Sequence, residues 1–101
     1  MITVHLYSPT NSETGVGIWD SCDFIVSGGY GSTIELYLNG ALNKTVYNDS
    51  FTGFGYIFPA APLSYSTAYS WYVKVYEPGQ GFVQSVETWS FTTAAEGIRF
   101  S

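Results

Sequence analysis

Apolar residues recur in this chain with a period of two, and no long segment shows a period of 3.6. The cleanest case is "TIELYLNG", residues 33–40, where Ile34, Leu36 and Leu38 alternate with Glu35 and Tyr37 before Asn39-Gly40. A strand turns successive side chains to opposite faces, so this alternation describes a strand with one buried face. Asn-Gly after it is a strong hairpin signal.

The same period runs along the whole chain. "ITVHLYS" sets Ile2, Val4 and Leu6 against Thr3, His5 and Tyr7 and is read as the first strand, with "PTNSETG" as a connection. "VGIWDSCDFIV" places Val16, Ile18, Cys22, Phe24 and Val26 on one parity, which Asp20 breaks, so a bulge or break is expected there. "SGGYGS" reads as a turn. "LNKTVYN" is read as a short strand, and "GFGYIFP" follows with Phe54, Tyr56 and Phe58 on one parity. "AYSWYVKVYE" sets Tyr69, Trp71, Val73 and Val75 against Ser70, Tyr72, Lys74 and Tyr76. "VQSVETWSFTT" returns with Trp89 and Phe91 as core anchors. The expectation is an all-β fold of about seven short strands, arranged as a two-sheet antiparallel β-sandwich.

The last third resembles a fibronectin type III domain of the kind common in bacterial and phage proteins. The likeness runs from Leu63 to Thr93. "LSYSTAY" is similar to the family's L-x-P-x-T-x-Y pattern at Leu63, Thr67 and Tyr69, with Tyr65 in place of the proline. "YSWYVKV" is similar to its sixth strand and "WSFTT" to its closing strand. The resemblance implies an immunoglobulin-like β-sandwich, with Tyr69 as a tyrosine corner whose hydroxyl bonds nearby backbone, and Trp71 between the sheets. Where the family usually carries a Trp on its second strand, this chain has "CDFIV", with Trp19 just upstream as a candidate replacement. Residues 1–94 are expected to form the domain and residues 95–101 a tail.

Composition narrows the function. Among 101 residues only Lys44, Lys74 and Arg99 are basic, and the net charge is −5. No cationic cluster can follow a phosphate backbone or an anionic membrane surface, so neither nucleic acid nor membrane is expected as a partner. No apolar run approaches the length of a membrane-spanning helix. Charged residues are 11% of the chain, against about a quarter in ordinary domains. Ser, Thr, Asn, Gly and Tyr must then carry solubility, a surface common on secreted and virion proteins. "MITVHLYSPT" has neither the basic start nor the apolar stretch of a signal peptide, so either the protein is made and assembled inside a cell or a signal has been removed.

Candidate chemistry is sparse. Cys22, the single cysteine, can form neither an internal disulfide nor a cysteine zinc site and is read as a small buried apolar residue. His5 is the single histidine and is read as an exposed strand residue. Asp20 and Asp23 lack the ligand spacing of a calcium loop, and Glu35, Glu77 and Glu87 cannot be positioned as an acid pair from sequence. The glycine pairs are not followed by a phosphate-loop ending. No catalytic residue, cofactor or metal is expected. Asn43 and Asn48 begin N-x-[ST] sequons.

Three features suggest contact. Tyr37, Tyr72 and Tyr76, with Lys74, are expected to share an outer sheet face suited to protein or glycan contact. Tyr30 in "GGYGS" and Phe82 in "EPGQGFVQ" are expected on loops at one end of the domain. Ile98 and Phe100 flank Arg99 in the tail, a pattern that can add a strand to a neighbour's sheet. The expected function is a non-enzymatic module docking onto a repeating assembly, as a phage capsid decoration, cement or tail protein in the virion. The alternative is an extracellular cell-surface, filament or carbohydrate-active-enzyme accessory domain that binds glycan or acts as a spacer.

Overall fold

The computed structural model describes residues 1–96. It is all-β, with no helix among the described residues. The strands are β1 (Thr3–Ser8), β2 (Glu13–Val16), β3 (Cys22–Leu38), β4 (Ala41–Ile57), β5 (Ala68–Glu77), β6 (Gly81–Gln84) and β7 (Trp89–Thr93).

Two long strands organise the rest. The first half of β3 lies between β1 and the second half of β4, with Phe24 opposite Leu6 on one side and Gly55 on the other. Its second half lies between β5 and the first half of β4, with Glu35 opposite Lys74 and Thr45. β5 continues outward to β6 and β7, and β2 joins the far side of β7. β4 pairs only with β3 among the described residues, which leaves its other edge open.

Asn39 and Gly40 both have positive φ, 52° and 80°. That is the conformation a two-residue hairpin of this twist requires, and it joins Leu38 to Ala41 across β3 and β4. The expected turn at residues 27–32 takes another form. The segment stays within β3 as an irregular stretch, with register shifts on both sides of Gly31. Here β3 passes from β1 to β5. A Cβ on Gly31 would collide with Val75 Cγ1, so the crossing needs a residue without a side chain.

The strand boundaries differ from expectation in three further places. The expected strands at 42–48 and 53–59 are one strand, β4. The expected closing strand is divided into β6 and β7, because the Val86 N–H donates to the Val4 carbonyl at 2.8 Å and pulls the chain towards β1. Residues 13–15, expected as a connection, form β2 together with Val16, and β2 runs parallel to β7, so the pairing is not wholly antiparallel.

One apolar cluster joins both halves of β3 and β4. It contains Ile2, Val4 and Leu6 from the N-terminal segment, Phe24 and Val26 from early β3, and Ile34, Leu36 and Leu38 from late β3. Trp71, Val73, Val75 and Phe91 join it from β5 and β7, and Val16, Cys22, Ile57 and Leu63 complete it. Trp71 is fully buried and meets the half-buried Trp89 edge to face at 6.5 Å. Tyr69 stacks on Phe91 at 5.7 Å, and its hydroxyl accepts the Ser64 N–H at 2.9 Å. Trp19 does not enter this core: it is 66% exposed, and Phe24 occupies the interior of early β3. Asp20 leaves the strand as expected, its carboxylate accepting the Gly17 N–H at 2.9 Å and its own N–H donating to the Gly17 carbonyl.

Candidate functional site

The expected tyrosine face is assembled by the β3–β5 register, which sets Tyr37 opposite Tyr72 and Thr33 opposite Tyr76. Tyr37 and Tyr72 stack with ring centroids 4.8 Å apart and planes 6° apart. Lys74 Nζ lies 5.0 Å from the Tyr37 ring centroid. The Tyr37 hydroxyl donates to Glu35 Oε1 at 2.9 Å. That hydrogen bond, with burial and the Glu35 charge after it, holds the phenol above its ordinary pKa. Tyr76 meets Phe82 edge to face at 5.2 Å. These are cross-strand pairs, and stacking turns one face of Tyr37 and one of Tyr72 towards each other.

Tyr30 and Phe82 differ from expectation. Tyr30 is 62% exposed but lies inside β3 and not on a loop tip. Phe82 belongs to β6 and packs on Tyr76, and no ring contact joins it to Tyr30 among the described residues. The two segments do approach: a Cβ on Gly29 would lie 3.3 Å from Glu77 Oε2. The tail positions Ile98 and Phe100 lie outside the described residues.

The acidic residues are dispersed over separate bonds. Glu77 accepts the Ile2 N–H at 2.9 Å. Glu87 accepts the Leu6 N–H at 2.7 Å and pairs with His5 Nδ1 at 2.7 Å. Burial opposes ionisation of Glu87, but the bonds from His5, Leu6 and its own backbone outweigh it and lower the pKa. Cys22 is buried, and burial first, then Asp23 and Asp20, push its thiol up to about 12. Asn43 Oδ1 accepts the Ala60 N–H at 2.9 Å, whereas the Asn48 side chain is exposed.

The surface most loaded with exposed rings is one the sequence reading did not single out. At the end of β4 the parity of Phe54 and Tyr56, continued by Phe58 just past the strand, faces outward, and the other parity, with Ile57, faces the core. Phe54 is 69% exposed and Tyr56 66% exposed. The inward position between them is Gly55, whose missing side chain leaves space for the buried Phe24 ring. From β1, beside a register shift between Leu6 and Ser8, Tyr7 reaches Phe54 edge to face at 5.1 Å and 87°. A bulge of this kind re-aims a side chain. β3 runs between β1 and β4, where Asp23 stands opposite Ser8 and Tyr56, and Ile25 opposite Phe54. Tyr7, Ser21, Asp23, Phe54, Gly55 and Tyr56 line a recess of about 220 Å³. The alternation of Gly53 and Gly55 with large rings was the available signal: glycines cannot fill a core unless a neighbouring ring does.

Neither a family model nor a curated protein matches the chain. Among solved structures, the chain is similar to the CARDB domain of a Pyrococcus furiosus protein in complex with di-metal ions. The identity is 18% and the TM-score 0.46, over 95% of this chain and 94% of that one.

Proposed function

We propose that this chain is an immunoglobulin-like β-sandwich of the fibronectin type III kind that works by contact and not by catalysis. Its role is a structural accessory of a repeating assembly, a phage capsid decoration, cement or tail protein in the virion. One observation carries the reading: Phe54, Tyr56 and Phe58 stand exposed at the end of β4, whose outer edge is open, and the exposed Tyr7 meets Phe54 from β1. Contiguous exposed apolar surface on a small domain marks an interaction site, and an open strand edge offers backbone groups to a neighbouring chain. Docking onto a lattice would cover both. Residues 95–101, with Ile98 and Phe100, are the segment proposed to reach the neighbouring subunit.

The test is to purify particles from a culture of the source and quantify the chain by mass spectrometry. The reading expects a fixed copy number relative to the major shell or tail protein. Deletion of residues 95–101 should remove the chain from particles while its far-ultraviolet circular dichroism is unchanged. Absence of the chain from particles defeats the reading.

A second reading, an extracellular glycan-binding or spacer module, is favoured by the same rings, because exposed aromatic faces stack on sugars. The Tyr37–Tyr72 stack makes those two less available than Phe54 and Tyr56. Glycan-array binding lost on Tyr56→Ser and kept on Tyr72→Ala would support it, and no binding by the parent would end it.

A further inference from the structure

The recess lined by Tyr7, Phe54 and Tyr56 combines aromatic walls with the Asp23 carboxylate from β3. Asp23 Oδ1 accepts the Ser21 hydroxyl at 2.6 Å. No hydrogen bond reaches its Oδ2, and no cationic side chain pairs with it, among the described residues. Asp23 is half-buried and lines the open recess, so its second carboxylate oxygen can accept a donor from outside the chain. Ser21 and Asp23 also line an adjoining recess of about 200 Å³ together with Glu13 and Asp20. The local field therefore attracts a cation and repels an anion, in keeping with the net charge of −5.

We infer that this recess binds the guanidinium group of an arginine side chain carried by a partner protein. Three properties of that group fit. It is planar and weakly hydrated, so it stacks on aromatic faces at low desolvation cost. It keeps N–H donors in its plane, so it can bond the open Asp23 oxygen while stacked. A head group of this size suits about 220 Å³, a volume below the roughly 300–1,000 Å³ of small-molecule pockets. A lysine ammonium is more strongly hydrated and gains less from the rings. A quaternary ammonium gains from the rings but has no N–H for Asp23.

The inference draws on the contact reading only in taking the arginine from a partner protein. If a free arginine probe fails to bind, the site is lost and the assembly reading stands. If the chain is absent from particles, arginine binding is untouched.

The experiment is a titration of the 15N-labelled protein with Nα-acetyl-arginine amide. Nα-acetyl-lysine amide, tetramethylammonium and the uncharged Nα-acetyl-norleucine amide are the comparison probes. Saturable shifts are expected at Tyr7, Asp23, Gly55 and Tyr56, with a Kd on the order of millimolar. Asp23→Asn should weaken arginine binding about tenfold, and Tyr56→Ser should weaken it independently, which keeps the test decisive if Asp23→Asn does not fold. Norleucine amide should bind at least about tenfold more weakly than arginine amide, the difference a charge-assisted hydrogen bond supplies. The inference is overturned by unsaturable shifts, by equal binding of norleucine or lysine amide, by tighter binding of tetramethylammonium, or by variants that bind arginine as the parent does.

Discussion

Replacing Gly55 by alanine tests the side of β4 that faces the core, and with it the existence of the aromatic surface. Gly55 lies opposite Phe24 in the β3–β4 ladder. An added Cβ would sit 2.7 Å from Phe24 Cζ and 2.8 Å from Cε2. Carbon atoms rest at about 3.5–4.0 Å, so the ring must retreat by roughly 0.8 Å or more. Phe24 is fully buried and meets Phe51 edge to face at 6.1 Å, so it retreats into occupied space. Overpacking of this kind costs about 1–3 kcal/mol. The alanine returns about 0.4–1 kcal/mol by stiffening the unfolded chain, because Gly55 does not occupy a positive φ. The net expectation is a loss of about 1–2 kcal/mol, which lowers Tm by about 4–16 °C in a domain of this size. Urea unfolding should show a lower midpoint with an unchanged slope. Phe24→Leu, which shortens the obstructing ring, should couple to Gly55→Ala by about 1 kcal/mol in a double-mutant cycle. Phe54→Ser should stay within about 0.5 kcal/mol of the parent, as an exposed position does. A stabilised Gly55→Ala, or a loss of about 3–5 kcal/mol at Phe54→Ser, would place the rings inside and remove the proposed contact surface.

Two further outcomes follow from the titratable groups. Glu87 is held below its ordinary pKa in the fold, so its contribution is present above the unfolded glutamate value near 4.3 and fades as pH falls through it and lower. The stability difference between the parent and Glu87→Gln should therefore be larger at pH 6 than at pH 3; a gap that does not narrow on acidification refutes the role assigned to the His5 and Leu6 bonds. Cys22, buried and pushed up to about 12, should resist a thiol reagent at pH 8 until urea unfolds the chain, and native-state labelling at the rate of a free thiol would contradict its place in the core.

The elements legible in the sequence are those whose partners impose nothing unusual. β1 and β5 follow their alternation residue by residue, and Asn39-Gly40 specifies its turn locally. What was hidden depends on contacts far along the chain. Glycines at 28–31 suit a turn or a crossing within one strand equally well. The approach of Gly31 to Val75 decides between them, and no local pattern reports it. Residues 83–93 alternate as one strand would. The division into β6 and β7 arises because Val86 donates to Val4, more than eighty residues away in sequence.

The same reasoning accounts for the missed recess. Period-two patterning groups Phe54, Tyr56 and Phe58 correctly but does not say which parity is buried, because apolarity alone favours the rings. The buried parity was set from the other side of the ladder. Phe24 already fills the interior at this level, so its partner position must hold no side chain, and Gly55 does. A glycine on the core-facing parity of a strand is thus a statement about its neighbour's bulk, and it forces the large residues beside it outward. That outward displacement is what brings Tyr56 beside its ladder partner Asp23 and Phe54 within reach of Tyr7. The surface proposed for contact is in this sense a consequence of how the core is filled: any substitution that shrinks Phe24 and enlarges residue 55 together should preserve the rings' exposure, while either change alone should disturb it.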